Sequence, residues 1–239
     1  MSPNPESFLR HLQEVGYHPR SDKHSNALAE AIVQDLVANC RVIVRKARSG
    51  ELVYQLNFTL TADRSDWNVD LVIGPPELGE TTSAGDALIR RSTPSSVQVA
   101  VELKSVMTEH RKAVKNRKRD LEAHHEHVHH YSPQAIAGGV FVINASPTFR
   151  SPLRSEVTRH RNISTLVEHC VSELRSIPSS RGLSGVGLEA KCAIVLETDN
   201  QTLRHTAFLT KSPAPGLGDP LRYDAFIRSL CSHYSQRFS

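Results

Sequence analysis

The sequence has few of the features that mark membrane, secreted or disordered proteins. No apolar run approaches the roughly 20 residues of a membrane helix, and the N-terminus lacks the basic and apolar blocks of a secretory signal. The four cysteines lie far apart without a C-x-x-C pair, so we expect core thiols rather than a disulfide framework or a zinc site. With 38% hydrophobic and 23% charged residues, the composition is typical of one soluble domain, which we predict to be cytoplasmic.

Positive charge is concentrated in one segment. Residues 104–119 carry seven basic side chains and one acidic one, whereas the formal charge of the whole chain is only +4. A basic cluster on a nearly neutral protein is typical of contact with a polyanion, and nucleic acid is the commonest such partner. A solvated, charged helix face is the simplest alternative.

Apolar spacing predicts the order of the elements in the first half of the chain. A helix at 25–40 is followed by strands at 41–46 and 52–60 that form a hairpin, and by a short strand at 68–73. A long loop at 75–96 precedes a strand at 97–103, where apolar residues alternate with polar ones. A polar helix at 109–131 then has one apolar seam spaced by seven residues (Met107, Val114, Leu121, Val128), and a buried strand follows at 140–144.

The second half is predicted to add a helix at 156–176, a hairpin of 191–198 with 203–210, and a final helix. In that final helix Tyr223, Phe226, Ile227 and Leu230 should face inward. The chain shows no internal repeat, and we expect a single domain over residues 1–239 with this half as an elaboration.

Two carboxylates and a lysine form the most informative pattern. Asp70 lies on one predicted strand, and Glu102 and Lys104 lie on the same face at the end of another, with 31 residues between Asp70 and Glu102. If the strands are adjacent, the carboxylates and the main-chain carbonyl of Leu103 supply the hard oxygen ligands that Mg²⁺ prefers. The metal can then activate a water, and the lysine can orient or deprotonate it.

The order helix, hairpin, strand with Asp70, strand with Glu102-x-Lys104, helix and strand resembles the PD-(D/E)xK nuclease superfamily over about residues 25–144. The resemblance implies a restriction-endonuclease-like αβββαβ core, a central mixed sheet flanked by helices, with the C-terminal elaboration at about 145–239. It implies that Asp70 and Glu102 hold the metal, that Lys104 serves the water, and that Glu30 on the first helix is a candidate for a further metal contact. Val69 stands where many members have proline.

The basic helix is the predicted DNA-binding element. Arg111, Lys115 and Lys118 fall on one helical face, and Lys112 and Arg119 lie about 90° away. Phosphate contacts of this kind carry no sequence information, so the recognised DNA sequence is not predicted. Further phosphate contacts could come from Arg90, Arg91, Arg150, Arg154, Arg159 and Arg161. Trp67 is expected to anchor the core.

A competing motif lies on the same helix, because His125-Glu126-x-x-His129 fits the H-E-x-x-H pattern of zinc metallopeptidases. Its surroundings are polar and rich in histidine, whereas the helices that carry this motif are mostly apolar. For His124 and His127 a solvated helix end is the simplest interpretation.

We therefore expect a Mg²⁺-dependent DNA endonuclease of the type II restriction-modification kind, in which Mn²⁺ can substitute for Mg²⁺. No G-x-x-x-x-G-K-[S/T] motif is present, which favours an enzyme that works without ATP. Because one metal site cuts one strand, cleavage of a duplex predicts a homodimer. The alternatives are a non-catalytic nucleic-acid-binding domain with a nuclease-like core and a zinc peptidase.

Overall fold

A computed structural model describes residues 3–62, 65–77, 88–180 and 186–239. The helices are α1 (Glu6–Val15), α2 (Lys23–Asn39), α3 (Arg41–Arg48), α4 (His110–Tyr131), α5 (Ile163–Ser176) and α6 (Tyr223–Arg237). The strands are β1 (Val53–Ala62), β2 (Ser65–Gly74), β3 (Arg90–Arg91), β4 (Val99–Val106), β5 (Ile136–Asn144), β6 (Thr148–Arg150), β7 (Val157–Arg159), β8 (Ala190–Glu197) and β9 (Ala207–Phe208). Part of the predicted loop at 75–96, residues 78–87, lies outside the described residues.

Seven strands form a mixed sheet in the order β3-β1-β2-β4-β5-β8-β9. The pairs β1 with β2 and β2 with β4 are antiparallel, and the pairs β4 with β5 and β5 with β8 are parallel. The parallel step from β4 to β5 is made through α4, which covers the sheet, as parallel connections require. The predicted central mixed sheet flanked by helices is confirmed.

Both faces of the sheet are buried. One face packs against α1, α2 and α6, and the other packs against α4 and α5. On β4, Val99, Val101 and Leu103 face the first group, while Ala100 faces the second, which confirms the predicted alternation from Val99 onward. Val97, the first residue of the predicted strand, lies before β4 and packs on the second side. Since Glu102 lies two residues after Ala100, it is directed toward the side of α4.

The two long helices of the first half agree with their predicted apolar spacing. Val114, Leu121 and Val128 of the predicted seam are buried in α4, so this polar helix touches the sheet through one stripe. Met107 is buried too, but it precedes the helix and packs in the core on the other face of the sheet. The predicted apolar rows of α2 are buried as well. In α6, Phe226, Ile227 and Leu230 are buried and Tyr223 packs against the same core, as predicted.

The predicted strand at 41–46 is wrong, because these residues begin α3. Ile43 and Ala47, one helical turn apart, are buried, and the basic side chains lie on the rest of the helix surface. The hairpin is therefore formed by β1 and β2 rather than by residues 41–46 and 52–60.

β5 begins at Ile136, four residues before the predicted strand at 140–144, and therefore includes Gly138 and Gly139. A Cβ atom on Gly138 would lie 3.2 Å from Val101 Cγ2, and one on Gly139 would lie 2.8 Å from Leu188 Cδ1. Glycine is needed here because the layers on both sides of the strand approach its backbone closely.

The C-terminal half completes the sheet instead of only adding to its outside. β8 pairs along β5, and α6 packs beside α2 on the same face. The predicted helix at 156–176 is shorter, beginning at Ile163 after the small β6–β7 hairpin. The predicted hairpin at 191–210 is reduced to β8 and the two residues of β9.

Cys40 and Cys231 form a disulfide, so the prediction of four core thiols is wrong for this pair. The bond joins the end of α2 to α6 across 191 residues of sequence. Only Cys170 and Cys192 are free among the described cysteines, and both are buried. Separately, among the described residues there is no helix with the length and apolarity needed to span a membrane.

Candidate active site

Asp70 and Glu102 lie where β2 and β4 stop pairing. The last paired residues of the two strands are Leu71 and Val101, so Asp70 and Glu102 are the next residues on either side. Oδ2 of Asp70 accepts a hydrogen bond of 2.7 Å from the main-chain N–H of Leu103. The structure thus brings together the two carboxylates that the sequence placed on adjacent strands.

The ammonium group of Lys104 completes this cluster. It contacts Oε1 of Glu102, on the same face of β4. The Glu102 side chain is 3% exposed and that of Lys104 is 22% exposed, so solvent reaches the cluster from the lysine side. This places an amine between the buried carboxylates and water.

Glu102 is poorly compensated for its burial. Its Oε2 atom is buried and has no hydrogen-bond partner among the described residues. Burial, and then the neighbouring charge of Asp70, raise the pKa of Glu102 to about 7, although Lys104 acts in the opposite direction. The single positive charge of Lys104 therefore does not offset the burial of Glu102 and the charge of Asp70.

Asp70 is affected in the same direction. Burial raises the pKa of Asp70 above its ordinary value, and the hydrogen bond from Leu103 and the charge of Lys104 only partly oppose this. The buried carboxylate of Glu102 and the half-buried one of Asp70 therefore share a single ammonium group. A divalent cation fits such a site, because it would neutralise both carboxylates and occupy the free Oε2 of Glu102.

The donor set fits magnesium in particular. Mg²⁺ is commonly held by one or two carboxylates, with waters and substrate phosphate as its other ligands. Over the described ranges, no group of three His, Cys, Asp or Glu side chains could hold a metal. Ligands beyond Asp70 and Glu102 would therefore come from main-chain carbonyl groups such as that of Leu103, from water and from substrate.

The first turn of α2 reaches this site through β1. Asn57, opposite Asp70 on β1, has a left-handed backbone with φ 52°. Its side-chain amide donates to Oδ2 of Asp22 at 3.2 Å and to Oδ1 of Asn26 at 3.1 Å. Asp22 is also close enough to raise the pKa of Asp70. This trio was not predicted from the sequence. Its only signal there is the polar pair of Asp22 and Asn26 at the start of an apolar helix.

Glu30 lies elsewhere. Its Oε1 is 3.9 Å from Nη1 of Arg91, and its charge raises the pKa of Tyr54 on β1, after the larger effect of burial. Tyr54 pairs with Ile73, at the end of the β1–β2 ladder away from Asp70. The contacts of Glu30 are thus made at β3 and not with Asp70 or Glu102.

His124 lies behind Glu102 and is wholly buried, so its interpretation as part of a solvated helix end is wrong. Its Nδ1 is 4.0 Å from Oε2 of Glu102, and its Nε2 is 3.4 Å from the carbonyl oxygen of Ala100. Burial lowers the pKa of His124 to about 3, so the ring is neutral at pH 7. A neutral ring adds no positive charge to the carboxylate cluster.

His127 also differs from the expected solvated end. It is half-buried and stacks on Trp67 of β2, with ring centroids 4.5 Å apart and an interplanar angle of 18°. Trp67 is half-buried too, and it packs against the core beneath α4. This contact joins α4 to the strand that carries Asp70, which agrees with a structural role for Trp67.

The predicted DNA-binding residues of α4 differ in their exposure and in their contacts with other side chains. Arg111, Lys112, Lys115 and Arg119 are exposed. Lys118 is held by α5, because its ammonium group lies 3.2 Å from Oε2 of Glu173 and 2.8 Å from Oγ of Ser176. Four of the five predicted cations therefore remain on the surface for a polyanion.

The two histidines of the H-E-x-x-H pattern have different hydrogen-bond partners. Nε2 of His129 lies 3.2 Å from Oε2 of Glu189, whose Oε1 accepts a hydrogen bond of 2.8 Å from Arg237. His125 is buried, and its Nδ1 has no partner among the described residues. The arrangement ties α4 to α6 through Glu189, and it assembles no third ligand within the described ranges.

A scan against protein-family models and searches of curated proteins and of solved structures found no match.

Proposed function

We propose that this protein is a Mg²⁺-dependent endonuclease that hydrolyses phosphodiester bonds in DNA. The observation that carries the proposal is the meeting of Asp70, Glu102 and Lys104 where β2 and β4 part. A buried and a half-buried carboxylate that share one ammonium group, beside a solvent-accessible lysine, form an arrangement suited to metal-assisted phosphodiester hydrolysis.

The order of the elements supports the same proposal. A helix, three antiparallel strands, a helix and a parallel strand follow one another from α2 to β5, with two insertions: α3 after the first helix, and before β4 the two-residue edge strand β3, which is parallel to β1. This is the αβββαβ order of the restriction-endonuclease-like core, and we propose that fold for the chain. The carboxylates lie on the second and third strands of the antiparallel group.

Each residue has a distinct part in the proposed reaction. Asp70, Glu102 and the carbonyl of Leu103 would hold Mg²⁺, and Mn²⁺ would fit the same oxygen ligands. When bound, the metal supplies a polarised phosphate and an activated water. Lys104 would orient or deprotonate the attacking water on the solvent side, while its charge favours the ionised form of Glu102.

Duplex DNA is the substrate that the charge distribution favours. The exposed cations of α4 lie on the helix that passes over the carboxylate site, so a backbone bound along them would be held beside it. One site cuts one strand, and a homodimer would cut both. Sedimentation of the protein with and without DNA tests this, since a monomer in both conditions would contradict the dimer.

The deciding experiment measures cleavage of plasmid and of linear, nicked and branched DNA with Mg²⁺ or with EDTA. We expect cleavage by the wild type with Mg²⁺ and at least a 100-fold loss in Asp70→Ala, Glu102→Ala and Lys104→Ala. The exposed residues Glu126 and Lys211 give matched controls, Glu126→Ala and Lys211→Ala, which should retain activity. Discrete fragments would support type II specificity. DNA binding without cleavage in either metal would instead support a non-catalytic binding domain.

A further inference from the structure

A second polar site lies at the N-terminus of α4, formed by residues outside the carboxylate cluster. It is a cleft of about 470 Å³ between the start of α4, the strand β7 and the start of α5. Its lining consists mainly of basic and histidine side chains: Arg111, Lys112, Arg159, His160, Arg161 and His110. The cleft therefore joins two segments that are distant in sequence and similar in charge.

The cations of the cleft are not neutralised by the protein. Arg111, Lys112, Arg159 and Arg161 are exposed, and none has an ion pair with a carboxylate of the described residues. The one acidic lining residue, Glu109, is paired with Arg154, with Nη2 to Oε1 at 2.9 Å, and Lys112 also interacts with its charge, so the cations of the cleft outnumber its single carboxylate. Four unpaired positive charges around one cleft favour an anionic ligand.

Two histidines add hydrogen-bonding groups that the fold leaves unused. His110 is 1% exposed, and its Nε2 lies 2.7 Å from the carbonyl oxygen of Asn144, which leaves Nδ1 without a partner. In His160, Nδ1 lies 2.8 Å from the carbonyl oxygen of Ser146, and Nε2 is the free atom. The main chain thus orients each ring. In each ring, the other nitrogen is buried and has no hydrogen-bond partner among the described residues.

The two rings form a single unit in the cleft. Their centroids are 4.8 Å apart and their planes are nearly perpendicular. Paired histidine nitrogens could suit either a metal ion or, when protonated, an anion. Here the four surrounding cations would repel a metal ion, and the charge of the cleft decides in favour of an anion.

The main chain adds to the same preference. α4, of 22 residues, begins at this cleft, and a helix N-terminus presents free N–H groups with partial positive charge; α5 contributes only Leu166, whose N–H bonds to the carbonyl oxygen of Asn162. Arginine side chains match the oxygens of phosphate in pairs, which sets phosphate apart from a simple halide ion.

We propose that this cleft binds a phosphate group, with Arg111, Lys112, Arg159 and Arg161 as its ligands and with the rings of His110 and His160 as part of its lining. The phosphate could be a diester of a nucleic-acid backbone, a terminal monoester or inorganic phosphate, because all of them present the same oxygens to the arginines. The proposal does not require the carboxylate site to be catalytic, since the two sites share no residue.

Binding of inorganic phosphate tests the shared chemistry. Titration calorimetry and histidine ¹⁵N spectra are recorded in EDTA for the wild type, for the double variant Arg159→Ala/Arg161→Ala, and for the exposed control Arg204→Ala. We expect binding by the wild type and the control, at least a ten-fold weaker affinity in the double variant, and shifts of the His110 Nδ1 and His160 Nε2 signals. Equal affinity in all three proteins would overturn the proposal, provided their thermal unfolding is alike.

Oligonucleotides distinguish the sources of the phosphate. Short duplexes with and without a 5′-phosphate are titrated into the same proteins in EDTA, where cleavage cannot occur. Equal loss of affinity for both duplexes in the double variant supports a backbone diester, and loss confined to the 5′-phosphorylated duplex supports a terminal monoester. Binding of inorganic phosphate alone supports a free phosphate ligand. If neither phosphate nor either duplex binds more weakly to the double variant, the cleft is not a phosphate site, whatever the outcome of the cleavage assay.

Discussion

The main-chain N–H of Leu103 donates a 2.7 Å hydrogen bond to the carboxylate of Asp70, although the two residues are 33 positions apart. Regular pairing between β2 and β4 ends at Leu71 and Val101, and this hydrogen bond connects the two strands just beyond that last pair. It therefore fixes the Asp70 side chain by the backbone of the strand that carries Glu102. The strand backbone thus helps to hold the two carboxylates close to each other.

Metal binding should be measurable without any assay of cleavage. Mg²⁺ should raise the melting temperature of the wild type relative to EDTA, because a ligand at 100 times its Kd stabilises the folded state by about 2.7 kcal/mol. Asp70→Asn and Glu102→Gln should lose most of this shift, while Glu126→Gln on the exposed side of α4 should keep it. An equal shift in all four proteins would show that Mg²⁺ binds elsewhere.

The contacts of Lys118 predict that neighbouring lysines of α4 contribute unequally to DNA binding. Lys115 is exposed, whereas the ammonium of Lys118 is held by Glu173 and Ser176. The observed affinity falls as salt rises, so the slope of log K against log salt is negative. If Lys115 neutralises one phosphate, Lys115→Ala should make this slope less steep by about 0.9. Lys118→Ala should change the slope by less than half as much.

Fluorescence anisotropy between about 50 and 200 mM salt measures both slopes. A larger effect of Lys118→Ala than of Lys115→Ala would contradict the structure, because it would mean that Lys118 leaves Glu173 to contact DNA. Lys211→Ala, far from α4 in sequence, serves as the control for a loss of charge alone.

Local patterns were sufficient for the elements that pack through a simple period. The alternation along β4 and the seven-residue spacing of apolar residues along α4 can each be recognised within one short segment of the sequence. Within the bounds of β4 and α4, both agree with the structure. The order of Asp70, Glu102 and Lys104 also predicted their convergence, because adjacent strands bring such positions together. These features need only neighbouring residues and the pairing of successive strands.

The failures involve contacts made across the molecule. Residues 41–48 contain β-branched side chains that suit a strand, but burial of Ile43 and Ala47 one turn apart favours the helix. The polarity of α4 suggested a solvated end, yet Glu102 and Trp67 provide partners for His124 and His127. Neither partner can be found by reading the helix alone.

Cys40 and Cys231 give a chemical test of such a distant contact. If the disulfide forms, the denatured, non-reduced protein should show two reactive thiols, those of Cys170 and Cys192, and four after reduction. Mass spectrometry after alkylation counts them. Four thiols before reduction, in protein purified without reductant, would show that the pair stays reduced. Cys231→Ser is the control and should give three thiols in both conditions.

The lowered pKa of Glu189 predicts that the protein loses stability at acid pH. Burial acts to raise its pKa, but hydrogen bonds from His129, Arg237 and the main-chain N–H of Ala137 outweigh this and lower the pKa to about 2. The folded state therefore binds a proton at Glu189 less readily than the unfolded state, whose pKa is about 4.5. This contribution to stability is present above about pH 4.5 and is lost as the pH falls toward 2, with a total of about 3 kcal/mol at most.

Other carboxylates titrate over the same range, so the informative quantity is the difference in unfolding free energy between the wild type and Glu189→Gln. Denaturant titrations should give a difference that is largest at pH 6 and shrinks steadily by pH 3, since a protonated Glu189 and a glutamine both lack the carboxylate charge that pairs with Arg237. Arg237→Ala should weaken the same pH dependence, because its guanidinium helps to hold the pKa of Glu189 low. A difference that stays constant between pH 6 and 3 would mean that Glu189 is not the buried ionised link between α4 and α6.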